Sequence, residues 1–256
     1  RLTSCCNRLS MNIDFANLQL QYQKYKTDID INIQAVLNKS NYIMGEEIYE
    51  LERALEEFTG AKYAITCSSG TDALLMPLMA WNIGPGDAVF VPTFTFIATA
   101  EMVQLLGATP VFVDIDNDTF NMDPVKLEEK IFEVIRDGKL KPQAVIPVDL
   151  FGLPANYPEI QKIADAHDIL VLEDGAQGFG GKIGDQKVCS SGDAATTSFF
   201  PAKPLGGYGD GGAVFTNDDD LAEKLESIRV HGKGSDKYDN IRVGINMRCQ
   251  GRNPMS

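Results

Sequence analysis

The stretch "TSFFPAKPLGGYGDGGAVFTN", residues 197–217, places Lys203 between aromatic residues, prolines and a run of glycines. The flanking segments "ATTSF" (195–199) and "GAVFT" (212–216) are short and β-rich, which is typical of buried strands. A lysine that follows a buried strand and has apolar neighbours loses hydration of its ammonium form, which favours the nucleophilic free amine. The alternative is a lysine on a mobile glycine-rich loop, and this stretch taken alone favours that alternative.

Working outward, short apolar segments alternate with longer amphipathic ones from residue 60 onward. This alternation predicts an α/β fold, with a mostly parallel sheet of roughly seven strands between helices. Besides the two segments above, the candidate strands are 63–67, 88–92, 111–115, 144–148 and 169–173, and helical patterns cover 45–60, 123–138 and 157–168. The helix 45–60 carries Ile48, Leu51, Leu55 and Phe58 on one face, which could pack on its own domain or on a partner subunit.

Composition excludes several classes of partner. The chain has 256 residues and a formal net charge of -13, so a nucleic-acid groove or an anionic membrane is not expected as its partner. It contains no apolar run long enough to span a bilayer and no signal-peptide core in its first ten residues, which predicts a cytoplasmic location. Its five cysteines lack metal-ligand spacing, so we expect reduced thiols and no metal site.

Polar and aromatic residues follow several predicted strands, where ligands bind in open α/β sheets. The first strand is followed by "SSGT" (68–71) at the start of a helix, which suits either a phosphate or an ordinary helix cap. Phe96 follows the second strand and could cover a planar ring or belong to the core. Asp174 follows the fifth strand, either as a buried carboxylate that needs a cation or as a helix N-cap, and Gln177 lies one turn further on.

Together these features predict one ligand. A phosphate-binding helix start, an aromatic side chain, a carboxylate able to hold a ring nitrogen protonated and a sheltered amine are the groups that pyridoxal 5'-phosphate (PLP) requires. The competing interpretation, a dinucleotide site, requires the pattern G-x-G-x-x-G between the first strand and its helix. The segment "CSSGTDAL" (67–74) does not contain that pattern.

From Asp14 to Arg248 the sequence resembles the DegT/DnrJ/EryC1/StrS sugar aminotransferases, which have the fold type I architecture of PLP-dependent transferases. The resemblance rests on "GTDAL" (70–74), "TFIATAEMVQLLGATPVFVDID" (95–116), "VDLFG" (148–152), "LEDGAQGFGG" (172–181) and the lysine stretch. The segments "SFFPAKPLGGYGDGG" and "NIRVGINMR" are most similar to enzymes that aminate UDP-linked 3-oxo-glucuronate derivatives for surface polysaccharides such as O-antigen.

The resemblance implies a role for each candidate site residue. Lys203 would bind the cofactor covalently and move a proton, and Asp174 would pair with the ring nitrogen. Phe96 and Gln177 would lie against the two faces of the ring. The remaining implied positions are Gly70, Thr71 and Ser198 at the phosphate, Asn246 at the phosphate from the partner subunit of a homodimer, and Arg242 and Arg248 at an anionic sugar nucleotide.

The implied reaction transfers an amino group from L-glutamate to a keto-sugar nucleotide. A 4-oxo sugar, a dTDP-linked 3-oxo sugar or a cofactor-binding remnant without activity remains an alternative. We expect residues 1–10 to be an extension, 11–60 a helical segment, 61–248 the PLP-binding domain and 249–256 an aberrant tail. The smaller C-terminal domain of the family is expected to be missing, in which case the chain as given would bind cofactor poorly.

Overall fold

A computed structural model describes residues 16–236 and 238–249 of the chain. The predictions for residues 1–10 and for the tail from residue 250 onward therefore concern sequence outside the described residues. Among the described residues, no helix combines the length and apolarity needed to cross a membrane.

A seven-stranded sheet forms the centre of the fold, in the order β1-β9-β8-β5-β4-β2-β3. Only β9 runs antiparallel to its neighbours, so the other six strands end at the same edge of the sheet. The strands are β1 (Tyr63–Cys67), β2 (Asp87–Pro92), β3 (Thr109–Val113), β4 (Lys141–Val145), β5 (Leu170–Asp174), β6 (Lys182–Ile183), β7 (Gln186–Lys187), β8 (Ala194–Ser198) and β9 (Gly212–Thr216), of which β6 and β7 form a separate hairpin. This confirms the predicted α/β fold with its mostly parallel sheet.

The described part of the chain contains seven α-helices. They are α1 (Leu18–Lys39), α2 (Glu46–Thr59), α3 (Gly70–Ala80), α4 (Ala98–Leu105), α5 (Pro124–Asp137), α6 (Tyr157–His167) and α7 (Asp219–Arg229). The predicted helices 123–138 and 157–168 coincide with α5 and α6 to within one residue at each end. Asp123 accepts backbone hydrogen bonds as the N-cap of α5, and Gly138 ends that helix in the left-handed conformation.

Two predicted strands are displaced along the chain. The strand predicted at 111–115 is β3, which begins earlier, at Thr109. It ends opposite Pro92, because Pro92 is the last residue of its partner β2. The strand predicted at 144–148 is β4, which begins at Lys141 opposite Asp87. In both cases the apolar run covers only part of the strand, whereas the register of β2 sets its ends.

The hydrophobic core lies on both faces of the sheet. Alternate residues of β2 point to opposite faces, so that Val89 and Val91 pack with α3, α4 and α7, while Phe90 packs with α5 and α6. The helix predicted at 45–60 is α2, which buries Leu51 and Leu55 against β1, β8 and β9 of its own chain. Phe58 is 49% exposed and stacks on Phe179. The fold therefore confirms own-domain packing for most of this helix face.

Candidate active site

The N-terminus of α3 faces the edge at which the parallel strands end. Ser69 is the N-cap, and its hydroxyl oxygen accepts a hydrogen bond of 3.0 Å from the backbone N–H of Asp72. The first backbone N–H groups of a helix have no intrahelical acceptor, and together with the helix dipole they favour an anion. The residues "SSGT" thus contain a helix cap, one of the two predicted alternatives, next to the backbone groups that a phosphate would use.

Gly70 brings this helix start against the end of β8. A Cβ atom on residue 70 would lie 2.5 Å from the Cβ of Ser198, which is closer than non-bonded carbon atoms come in proteins. Ser198 is buried, and its hydroxyl oxygen accepts a hydrogen bond from the N–H of Phe200. The close contact places the Ser198 hydroxyl beside the first turn of α3.

Asp174 is the last residue of β5, whereas the sequence predicted that it directly follows the strand. Its side chain is buried, and the residue is only 6% exposed. Its two carboxylate oxygens accept hydrogen bonds from the Thr99 hydroxyl at 3.1 Å and from the Ala176 N–H at 3.2 Å. Burial raises the pKa of Asp174, whereas these two hydrogen bonds and the positive charge of Lys203 lower it. Asp174 is therefore a buried carboxylate whose direct hydrogen-bond donors in the described structure are neutral.

Lys203 lies in the turn that follows β8 and is partly buried. The turn is closed by a 2.8 Å hydrogen bond from the Lys203 N–H to the carbonyl oxygen of Phe200. The Lys203 ammonium group is close enough to Asp174 to lower the pKa of that carboxyl. The sequence left a mobile surface loop as the alternative, and the structure instead places Lys203 in the wall of a cavity.

This cavity of about 360 Å³ brings most of the predicted site residues together. Its volume lies in the range of small-molecule sites. The predicted residues that line it are Gly70, Thr71, Phe96, Asp174, Gln177, Ser198 and Lys203, and apolar residues such as Leu74, Val148 and Phe200 complete the wall. Phe96 is 67% exposed at its rim, and the Gln177 side-chain oxygen accepts a hydrogen bond from the Phe151 N–H at 3.1 Å.

Three predicted residues lie outside the cavity wall. Asn246 is exposed, and its side-chain oxygen accepts a hydrogen bond from Arg248 at 2.9 Å. Arg242 lies near the ends of α3 and α7, beside Asn82. Their roles toward a phosphate and a sugar nucleotide stay predictions, and for Asn246 the predicted contact is with the site of a partner subunit.

Sequence reasoning missed several residues of the site. Thr99 is buried and connects Asp174 to Thr95 through a hydroxyl–hydroxyl hydrogen bond of 3.0 Å. Asp149 and Glu173 are fully buried carboxyl groups next to Asp174. A sequence signal existed, since each of these two acidic residues ends or interrupts an apolar strand pattern, where an ionised group is costly.

Known proteins resemble the chain in sequence and in fold. The sequence profile of the DegT/DnrJ/EryC1/StrS aminotransferase family matches residues 23–251. The chain belongs to this family. Among family proteins, it is 49% identical over 236 residues to the UDP-2-acetamido-2-deoxy-3-oxo-D-glucuronate aminotransferase of Pseudomonas aeruginosa.

Two solved structures superpose closely on the chain. A DegT/DnrJ/EryC1/StrS aminotransferase from Brucella abortus gives a TM-score of 0.94 at 48% identity, and NtdA from Bacillus subtilis with bound cofactor PMP gives 0.86 at 30% identity. These alignments cover 95% and 97% of this chain, and 65% and 55% of the respective solved chains. The Pseudomonas alignment covers 92% of this chain and 64% of that relative, so the chain spans somewhat less than two thirds of the length of these proteins.

Proposed function

We propose that the protein is a PLP-dependent aminotransferase that moves an amino group from L-glutamate to a UDP-linked 3-oxo sugar. The observation that carries the proposal is the single cavity in which Lys203, Asp174 and the N-terminus of α3 meet. Membership of the aminotransferase family supports the reaction class. The similarity to the Pseudomonas enzyme, whose name specifies a UDP-linked 3-oxo sugar, supports the substrate class.

The residues present fit the proposed cofactor. The α3 N-terminus and the Ser198 hydroxyl form an anion-binding end, where the absence of a Cβ at Gly70 permits the close contact between the two segments. At the other end, the buried carboxylate of Asp174 accepts hydrogen bonds from Thr99 and Ala176 but has no directly bonded cation among the described residues. A protonated ring nitrogen would supply that positive charge, which makes the burial of Asp174 energetically reasonable. When bound, PLP supplies an aldehyde that condenses with amines and a ring that accepts electrons.

The side chains of the cavity have separate roles in this proposal. The Lys203 amine holds the cofactor and afterwards moves a proton to and from the reacting carbon, since it is the lysine of the cavity wall. Thr99 orients the Asp174 carboxylate through its hydroxyl. Leu74, Val148 and the neighbouring apolar side chains exclude water, which strengthens the electrostatic interactions inside the cavity.

We also propose that the active unit is a homodimer in which Asn246 of the partner subunit contributes to the phosphate site. Within one chain, Asn246 is exposed and outside the cavity, which leaves its side chain accessible to a second copy. Several large apolar side chains near the cavity are also exposed, among them Phe96, Phe151 and Phe200 at 67%, 70% and 51%. A patch of this kind is typical of an interaction surface.

A single-turnover experiment tests the proposed reaction and substrate. The full-length protein is loaded with pyridoxamine phosphate and mixed with UDP-linked 3-oxo, dTDP-linked 3-oxo and 4-oxo sugar nucleotides, and the amino sugar formed is quantified. We expect fast conversion of the UDP-linked 3-oxo sugar and loss of conversion in Lys203→Ala. Equal conversion by Lys203→Ala would contradict the assignment of the lysine, and preference for a 4-oxo or dTDP-linked substrate would contradict the substrate class.

A further inference from the structure

Two fully buried carboxyl groups, Asp149 and Glu173, lie behind the cavity and have no role in the function proposed above. Glu173 precedes Asp174 in β5, so its side chain points to the opposite face of the sheet. Asp149 is adjacent to the same strand, because its backbone N–H donates a 3.0 Å hydrogen bond to the carbonyl oxygen of Asp174. Both groups are thus fixed directly to the residue proposed to hold the ring nitrogen.

One buried oxygen of Asp149 lacks a donor, which a proton shared with Glu173 would supply. Asp149 Oδ1 accepts hydrogen bonds from the Tyr157 hydroxyl at 2.7 Å and from the Ala155 N–H at 2.9 Å, whereas no N–H or hydroxyl group of the described residues donates to its buried Oδ2. The oxygens of Glu173 accept backbone hydrogen bonds from Cys189 and Ser191. The carboxyl groups of Asp149 and Glu173 are close enough for each to affect the pKa of the other, and a protonated Glu173 would supply the missing hydrogen bond to Oδ2 of Asp149. A carboxyl group donates such a bond only when it is protonated.

The surrounding charges favour one proton on this pair. Burial raises the pKa of Asp149 to about 6 and the pKa of Glu173 well above its ordinary value. Among the described residues, the other titratable groups that act on the pair include Tyr157, Cys189 and Asp174, none of which is a cation. Lys187, beside Glu173, donates its ammonium hydrogen bond to the carbonyl oxygen of Phe58. Two adjacent buried carboxylates do not readily ionise together, which favours one proton shared by the pair.

The segment that carries Asp149 also holds the turn that carries Gln177. The Phe151 N–H donates to the Gln177 side chain, and Gly178 packs so closely that a Cβ there would lie 2.6 Å from Asp149 Cβ. Only glycine at position 178 permits this contact. Asp149 therefore packs against the backbone directly after Gln177 and helps to fix the turn between Asp174 and Gln177.

We propose that Asp149 and Glu173 share one proton and form a positioning pair, which fixes the turn from Asp174 to Gln177 and keeps one negative charge beside Asp174. The effect on Asp174 rests on the proposed function, whereas the shared proton does not. A negative charge on Asp149 favours the protonated form of nearby groups. It would therefore raise the pKa of a ring nitrogen bound to Asp174. The pair would thereby keep that nitrogen protonated over a wider pH range.

The pH dependence of stability tests the shared proton without any cofactor or substrate. A carboxyl whose pKa is raised in the folded state binds its proton more tightly there, so its stabilising contribution is complete below the unfolded pKa and is lost as the pH rises through the folded pKa. For Asp149 this window runs from about 4, the unfolded value, to about 6. We expect the difference in unfolding free energy between wild type and Asp149→Asn to change across this window. A difference that is constant with pH would overturn the proposal.

An infrared pH titration of the wild-type protein is the second measurement, because Asp149→Asn could fail to fold. We expect the carbonyl band of a buried protonated carboxylic acid at neutral pH and its loss in Glu173→Gln. The side-chain amide introduced by this substitution can donate the same hydrogen bond to Asp149, so the variant retains the central contact. Absence of the band in the wild-type protein would overturn the proposal.

The coupling to Asp174 is measured on the protein reconstituted with PLP. We expect the pH midpoint of the cofactor absorption band to fall by about one pH unit in Asp149→Asn, which is typical for loss of a neighbouring charge. The matched control is Asp193→Asn: burial also raises the pKa of Asp193, but this carboxylate bonds to Val171 at the other end of β5. An unchanged midpoint in Asp149→Asn would refute the coupling, and an equal fall in both variants would show a general effect of stability. A failure of the proposed function would appear separately, as a wild-type protein that shows no cofactor band.

Discussion

Gly70 and Ser198 lie in such close contact that a Cβ atom on residue 70 would be 2.5 Å from the Cβ of Ser198. One residue begins α3 and the other ends β8, so the contact fixes the start of the helix against the edge of the sheet. The predicted phosphate-binding groups of both segments thereby face one cavity. This geometry makes glycine at position 70 a requirement of the site.

Gly70→Ala should weaken PLP binding by about tenfold or more, which corresponds to about 1.4 kcal/mol. The added methyl group would push the start of α3 away from Ser198 and misplace the groups that bind the phosphate. Titration of the apoprotein with PLP measures the change. Gly84→Ala is the matched control, because the nearest atom to its added Cβ would lie at 3.8 Å, and normal affinity in Gly70→Ala would contradict the account.

Thr99→Val should impair the site through Asp174. The substitution keeps the shape of the side chain but removes the hydroxyl that donates to the buried carboxylate, at a cost of about 1–3 kcal/mol. Since this bond lowers the pKa of Asp174, its loss should raise that pKa further and shift the pH profile of the reaction. Thr197→Val is the control, because the buried hydroxyl of Thr197 has no hydrogen-bond partner in the described part of the chain. Equal pH profiles for the two variants would argue against a role for Thr99.

Glu52 and Arg229 form a buried ion pair that connects α2 to α7, and both also bond to Thr66 of β1. Glu52→Gln should lower the free energy of unfolding by about 3–5 kcal/mol, because it leaves the Arg229 charge buried without its partner. Chemical denaturation measures the loss. The control is Glu129→Gln in the exposed pair with Lys126, where we expect about 0–1 kcal/mol. Similar losses for the two variants would contradict the claim that burial makes the loss of one partner costly.

A shared active site predicts that two inactive variants complement each other. Lys203→Ala removes the reactive amine, and Asn246→Asp places a negative charge where the partner's phosphate is proposed to bind. Neither variant alone should convert substrate well, whereas a refolded mixture should recover part of the activity, since one site of each mixed dimer has both residues intact. A mixture no more active than its components would show that the site lies within one chain.

The sequence predicted most of the fold, because strand and helix patterns agree with packing in this protein. The strand around Phe90 is predicted by an apolar run, and the helix over "DPVKLEEKIFEVIRDG" by apolar residues at helical spacing. The structure confirms both elements. The ends of β3 and β4 were not predictable from periodicity, because they depend on the register of β2. Periodicity describes which face is buried, and the partner strand decides where pairing stops.

The candidate site was predictable where one residue type is tied to one chemistry, as with Lys203 and Asp174. The residues that support these two were not predictable. Thr99 looks like an ordinary helix residue until the fold brings it to Asp174, which is 75 positions away in the chain. Likewise, Asp149 and Glu173 are recognisable as a pair only when β5 and the segment after β4 are adjacent.

The measurement that tests the central claim most directly is to locate the lysine that binds the cofactor. The full-length protein is incubated with PLP, reduced with borohydride to make the bond to lysine permanent, digested and examined by mass spectrometry. The account predicts that the cofactor mass is added to the peptide that contains Lys203 and is absent in Lys203→Ala. Addition at a different lysine, or at none, would contradict the account.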